Sequence, residues 1–208
     1  MGRVLGALLL LAVLPVLSGA AAHAAVQQGQ AVELCVLVPR VEPIDEGQAF
    51  GEVPTTHPTL LVVEPLQQVR IEAASGQLLW SRRFAADQPL TGPLLWPLSG
   101  LRSSDEVVLR LQPVGAPDDA YAQVQLRAAP AARMAATAAL IAALGPAPEA
   151  WMAAINRALE AADVPLAWSV LFAPQAPASQ ALDELRHELL RRGCGDNERP
   201  DASGAGPR

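Results

Sequence analysis

The chain has 208 residues, with 15 basic and 21 acidic side chains and a formal net charge of −6. An acidic surface of this kind disfavours nucleic acid and anionic lipid as partners. Every basic residue is arginine, which excludes a Schiff-base lysine, a Ser-Lys dyad and a phosphate-loop lysine.

The first stretch, "MGRVLGALLLLAVLPVLSGAAAHAAVQQ", has one positive charge at Arg3, an apolar run from Val4 to Leu17, and then small residues. Ala22 and Ala24 stand at the −3 and −1 places of an A-x-A cleavage site, so residues 1–24 are expected to be a signal peptide and the mature chain to begin at Ala25. Pro15, Ser18 and Gly19 cut the run short of the roughly 20 apolar residues that a spanning helix needs, so no transmembrane anchor is expected after cleavage. No cysteine follows the small-residue cluster closely, which argues against a lipoprotein.

Residues 25–129 are expected to form a β domain. "AVELCVLV" (31–38) alternates loosely and stops at Pro39. "TLLVV" (59–63) is a short continuous apolar run, as in a strand covered on both faces. "QVRIEA" puts Val69, Ile71 and Ala73 on one side and Arg70 and Glu72 on the other; the Ser75-Gly76 turn and "QLLWSRRF" (77–84) complete a hairpin. "GPLLWPL" (92–98), "EVVLRLQPV" (106–114) and "AYAQVQLRA" (120–128) follow, separated by turn residues. Seven short strands at this spacing suggest an immunoglobulin-like antiparallel β-sandwich.

Near residue 130 the apolar period lengthens from two to about 3.6 residues, so residues 130–194 are expected to be a small helical subdomain packed on the sandwich. "PAARMAATAALIAALG" runs from Pro130 to Gly145, the usual punctuation of a helix. The next helix should bury Trp151, Ile155, Ala158 and Ala162; Asp163 should cap a short one carrying Pro165 in its first turn. "SQALDELRHELLRRG" presents Leu182, Leu185 and Leu189 on one face and ends at Gly193. Residues 195–208, polar and rich in Pro and Gly, are expected to be a disordered tail.

After loss of His23, the mature chain would hold His57 and His187, too few for a histidine metal site, and no metal or cofactor motif is present. His57 precedes Pro58 and "TLLVV". One role is a general base paired with Cys35 or Glu64; the other is the last loop residue before a strand, held extended by Pro58. The residues favour the second, and no catalytic residue is assigned. His187, four residues after Asp183, fits an exposed helical pair. His57, Trp80 and Trp96 form a possible ligand surface, although both tryptophans also suit the core. Cys35 and Cys194, the two cysteines, are expected to form a disulfide in an oxidising compartment; a buried Cys35 with a free Cys194 is the alternative.

The His57-Pro58-Thr59 step, Pro65 beyond it, the hairpin to Trp80, "LLWPL", "EAWMAAINRALE" and "PLAWSVLF" together resemble the cyanobacterial "domain of unknown function" family 928, over about residues 31–172. The chain departs from that pattern at Leu60 and Leu61, where aromatics are usual, and at "EVVLRL". The resemblance implies an exported protein and supplies no catalytic residues. The resulting expectation is a non-enzymatic binding or scaffold protein of the cell envelope, in the periplasm, thylakoid lumen or outside the cell. It would act on a protein or cell-envelope component through the sandwich. A small hydrolase using His57, or a structural envelope protein without a discrete ligand, are the alternatives.

Overall fold

A computed structural model describes Val32 and residues 34–192. The expected signal peptide, its cleavage site, Gly193, Cys194 and the tail lie outside the described residues.

Nine strands precede four helices among the described residues. Val36–Val38 (β1), Thr59–Val62 (β4) and Leu94–Leu95 (β7) form one sheet in the order β1-β4-β7. Glu42–Asp45 (β2), Gln48–Val53 (β3), Leu66–Ala73 (β5), Leu78–Arg83 (β6), Glu106–Pro113 (β8) and Ala122–Ala128 (β9) form the other, in the order β2-β3-β9-β8-β5-β6. Both sheets send side chains into one core: Val36, Leu60 and Val62 from the small sheet meet Val69, Ile71, Leu109, Leu111, Val124 and Leu126 from the large one. Register makes the large sheet's inner face continuous, because Ile71 lies opposite Leu109 and Leu109 opposite Val124. The fold is therefore a β-sandwich followed by helices, as the sequence suggests.

Three features correct the sequence expectation. The sandwich is not wholly antiparallel, since β3 runs parallel to β9 from Gln48↔Gln123 to Val53↔Ala128. The hairpin β2–β3 was not foreseen; Gly51 sits in it where a Cβ would meet the Arg40 carbonyl at 2.7 Å, so glycine is required. The strand expected over 92–98 shrinks to Leu94–Leu95, because Pro93 and Pro97 remove backbone donors on either side.

Strand β4 is buried at all four positions. Leu60 and Val62 enter the sandwich core, while Leu61 joins Leu37 and Val38 on the opposite face, packed against Phe172. Val63, just beyond, is exposed. The outer face of the large sheet is polar: Glu72, buried, holds Arg70 at 3.0 Å and Arg110 at 2.8 Å.

The helices are Ala131–Leu144 (α1), Pro148–Glu160 (α2), Val164–Leu171 (α3) and Gln180–Arg192 (α4). Helix α1 bridges the two halves, giving Met134 to the sandwich core and Leu144 to the helical core around Trp151, Ile155, Leu171 and Leu182. Asp163 caps α3 as expected, accepting from the Leu166 N–H at 3.1 Å. Ala162 is not on the buried face of α2; it lies beyond the helix, exposed, with φ +56°. Arg133 of α1 reaches Asp163 at 2.8 Å and Glu52 of β3 at 3.3 Å, tying three elements together. Among the described residues no helix is long and apolar enough to cross a membrane.

Candidate binding cleft between sandwich and helices

Strand β3 ends at Val53 and β4 starts at Thr59, so the intervening loop is Pro54-Thr55-Thr56-His57-Pro58. Both prolines are buried, which anchors the ends of the loop and pushes its middle outward. The Thr56 carbonyl accepts from the Leu101 N–H at 2.8 Å, joining the loop to the segment that follows β7. His57, exposed, lies over Gly100: a Cβ there would meet Cε1 at 3.0 Å and Nε2 at 3.2 Å, and the φ of +115° also favours glycine. The Thr56 hydroxyl and His57 Nδ1 are 2.9 Å apart.

Across from this loop stand α1 and the end of α3. Met134, Ala138 and Ile141 repeat on one face of α1, and Ser169 and Phe172 come from α3 and its C-terminal cap; with Leu95 and Trp96 they enclose a cleft of about 520 Å³. The Thr59 hydroxyl fastens the base of the cleft by donating to the Phe172 carbonyl at 2.9 Å. The walls are largely aliphatic and aromatic, and no Asp, Glu or Arg lines them. Its polar lining comes from Thr55, Thr56, His57, Thr59, Ser169 and Gln175; the hydroxyl of Thr55 and the indole N–H of Trp96, whose residues also line the cleft, are themselves buried without a hydrogen-bond partner.

His57 and Trp96, 39 residues apart in sequence, thus meet at one site. Trp80 does not. It lies on β6, opposite Ile71, packed against the sandwich core. The two groups considered as partners for a His57 base are also elsewhere: Glu64 accepts from the Cys35 N–H at 3.0 Å, and both line a second, more polar cleft of about 620 Å³ beside β2 and β3. His57 therefore has neither Cys35 nor Glu64 in its cleft. His187 does pair within α4, but its ring donates from Nδ1 to the Asp183 backbone carbonyl at 2.7 Å; the Asp183 carboxylate takes Arg186 instead, at 2.7 Å.

Among the described residues no group of three or more His, Cys, Asp or Glu is placed to hold a metal ion. No free cysteine occurs among them, Cys35 included. The contributions of Thr55, Met134, Ile141 and Phe172 were missed in the sequence. For α1 the cause is composition: an almost entirely apolar helix does not reveal which face meets which neighbour.

No protein-family model matches the chain, and no curated protein matches it. Among solved structures, the chain is similar to CopC from Methylosinus trichosporium OB3b over 44% of this chain and 96% of that one, at 13% identity and a TM-score of 0.25. That likeness is too slight to carry an argument about function.

Proposed function

We propose that the protein is an exported, non-enzymatic binding protein that holds a cell-envelope component in the cleft between the sandwich and the helices. The carrying observation is the cleft itself: about 520 Å³, largely apolar in its walls and with His57, Ser169 and Gln175 among its lining residues, within the usual range for small-molecule sites. Export rests on the leader-like first 24 residues and on the resemblance to family 928. The Cys35–Cys194 disulfide belongs to the same reading, as a device suited to an oxidising compartment.

The test uses Ala138, an exposed residue on the cleft-facing side of α1. Wild-type and Ala138→Trp proteins are incubated with envelope extract, repurified, and their organic extracts compared by mass spectrometry. A compound carried by the wild type and absent from the filled-cleft variant supports binding there; equal loading of the two proteins refutes it.

A hydrolase remains the second reading for one reason: Ser169 lines the same cleft as His57. Activity against a panel of esters and peptides that disappears in His57→Ala would replace the binding function with a catalytic one.

A further inference from the structure

We propose that the open edge of the large sheet, strand β6, takes an extended peptide with two adjacent acidic residues at one end and apolar residues at the other, paired antiparallel to it as a further strand. β6 ends the sheet order, and no strand lies beyond it among the described residues. The Phe84 N–H donates to the Gln67 carbonyl at 2.9 Å, and the register sets Arg82 opposite Val69 and Trp80 opposite Ile71. Hydrogen-bonded pairs alternate along an antiparallel ladder, so Phe84, Arg82 and Trp80 direct their backbone groups at β5. Those of Ser81 and Arg83 point the other way, and neither N–H bonds another segment among the described residues. Such an edge can receive a strand through main-chain hydrogen bonds.

Side chains decide which strand it receives. Every residue of β6 except Trp80 is exposed. Leu78 and Leu79, at one end, are 50% and 42% exposed. At the other end Arg82 and Arg83 project to opposite faces of the sheet. Arg82 lies 4.9 Å over the Phe84 ring and has no ion-pair partner among the described residues. Arg83 accepts no better neutralisation: Gln68 Oε1 takes its N–H at 3.1 Å, and Asp118, 89% exposed, stands 3.6 Å away. Two adjacent carboxylates in the added strand, one on each face, complement these guanidiniums, and apolar residues further along cover the leucines. A second copy of β6 fits worse. Overlapped antiparallel along its length, it sets Leu78 against Arg83 and Leu79 against Arg82, which neither pairs charges nor joins apolar surface.

The experiment measures, by fluorescence anisotropy on the mature protein, two labelled peptides, Glu-Glu-Thr-Thr-Val-Val and Lys-Lys-Thr-Thr-Val-Val. The glutamate peptide should bind about tenfold more tightly at low salt, the effect of two exposed ion pairs, and the ratio should shrink in about 1 M salt. Ser81→Pro removes an edge donor without removing a bond to β5, and should abolish binding. Arg82→Glu combined with Arg83→Glu, both at exposed positions, is the second variant and should reverse the preference. Binding of neither peptide, equal binding of both, or a preference that survives the charge exchange overturns the proposal. So does unchanged binding by a folded Ser81→Pro protein. Sedimentation should show a monomer; a dimer dispersed by Ser81→Pro would assign the edge to a second copy and overturn the peptide.

Discussion

His57 and Val62 stand five residues apart and belong to different worlds. His57 is exposed over Gly100, whereas Val62 is 6% exposed and packs into the core shared by both sheets. Local chemistry decides this. Pro58 ends the loop, and the four residues after it are apolar or β-branched, so the chain passes from water to core within one step. Val62→Asp should leave no cooperatively folded protein. An unpaired carboxylate at that site costs several kcal/mol, against a total stability of roughly 5–15 kcal/mol for an ordinary domain. Urea unfolding followed by circular dichroism checks it, and a variant with the wild-type midpoint would contradict the buried strand. His57→Ala, by contrast, should move the midpoint little, because the ring is exposed and its hydrogen bond is to its neighbour Thr56.

At the scale of elements, the sequence revealed strands whose side chains alternate and helices with ordinary punctuation. β5, β8, β9 and all four helices fall close to where the pattern puts them. The hairpin β2–β3 was hidden because Pro43, Gly47 and Gly51 break its alternation, and its stability comes from pairing with β9, a partner 75 residues away in register (Gln48↔Gln123). Nothing local encodes a parallel pairing of that kind. The cleft is half legible: a histidine before a strand and a tryptophan between prolines mark two of its residues, but their meeting depends on how α1 and α3 close over the loop.

Arg133 holds part of that closure, and its partner Asp163 performs two tasks, capping α3 and pairing with Arg133. Asp163→Ala loses the cap and one ion pair, and Arg133→Ala, which loses that pair and the one to Glu52, should cost about as much. The cap contributes about 1 kcal/mol, and the partly exposed ion pair about 0.5–1 kcal/mol. A double-mutant cycle in urea should show a coupling of about 0.5 kcal/mol or more; strict additivity would mean that the two side chains do not interact.

At the scale of the molecule, the helical half is fixed to the sandwich by the outer face of the small sheet. Leu37, Val38 and Leu61 pack together with Phe172, and Cys35 lies against the same cluster. That position puts Cys35 on the side where the helices dock. A bond to Cys194 would extend the docking to the end of the chain and constrain the unfolded state by about 5 kcal/mol in the chain-entropy model, less any strain. Thiol titration of the non-reduced, denatured mature protein should find no free thiol in the monomer. Two free thiols would mean that the halves are joined by packing alone.

The cleft lies at this junction, and Trp96, which lines it, reports on it directly. The chain has four tryptophans, so a nitrogen–proton correlation spectrum of the mature protein should contain four indole signals, with that of Trp96 identified by its loss in Trp96→Phe. Addition of the compound recovered from envelope extract should shift the Trp96 signal, because that residue lines the cleft, and leave that of Trp80, on β6, in place. A saturating titration that moves Trp80, or that leaves Trp96 unmoved, would contradict binding in the cleft.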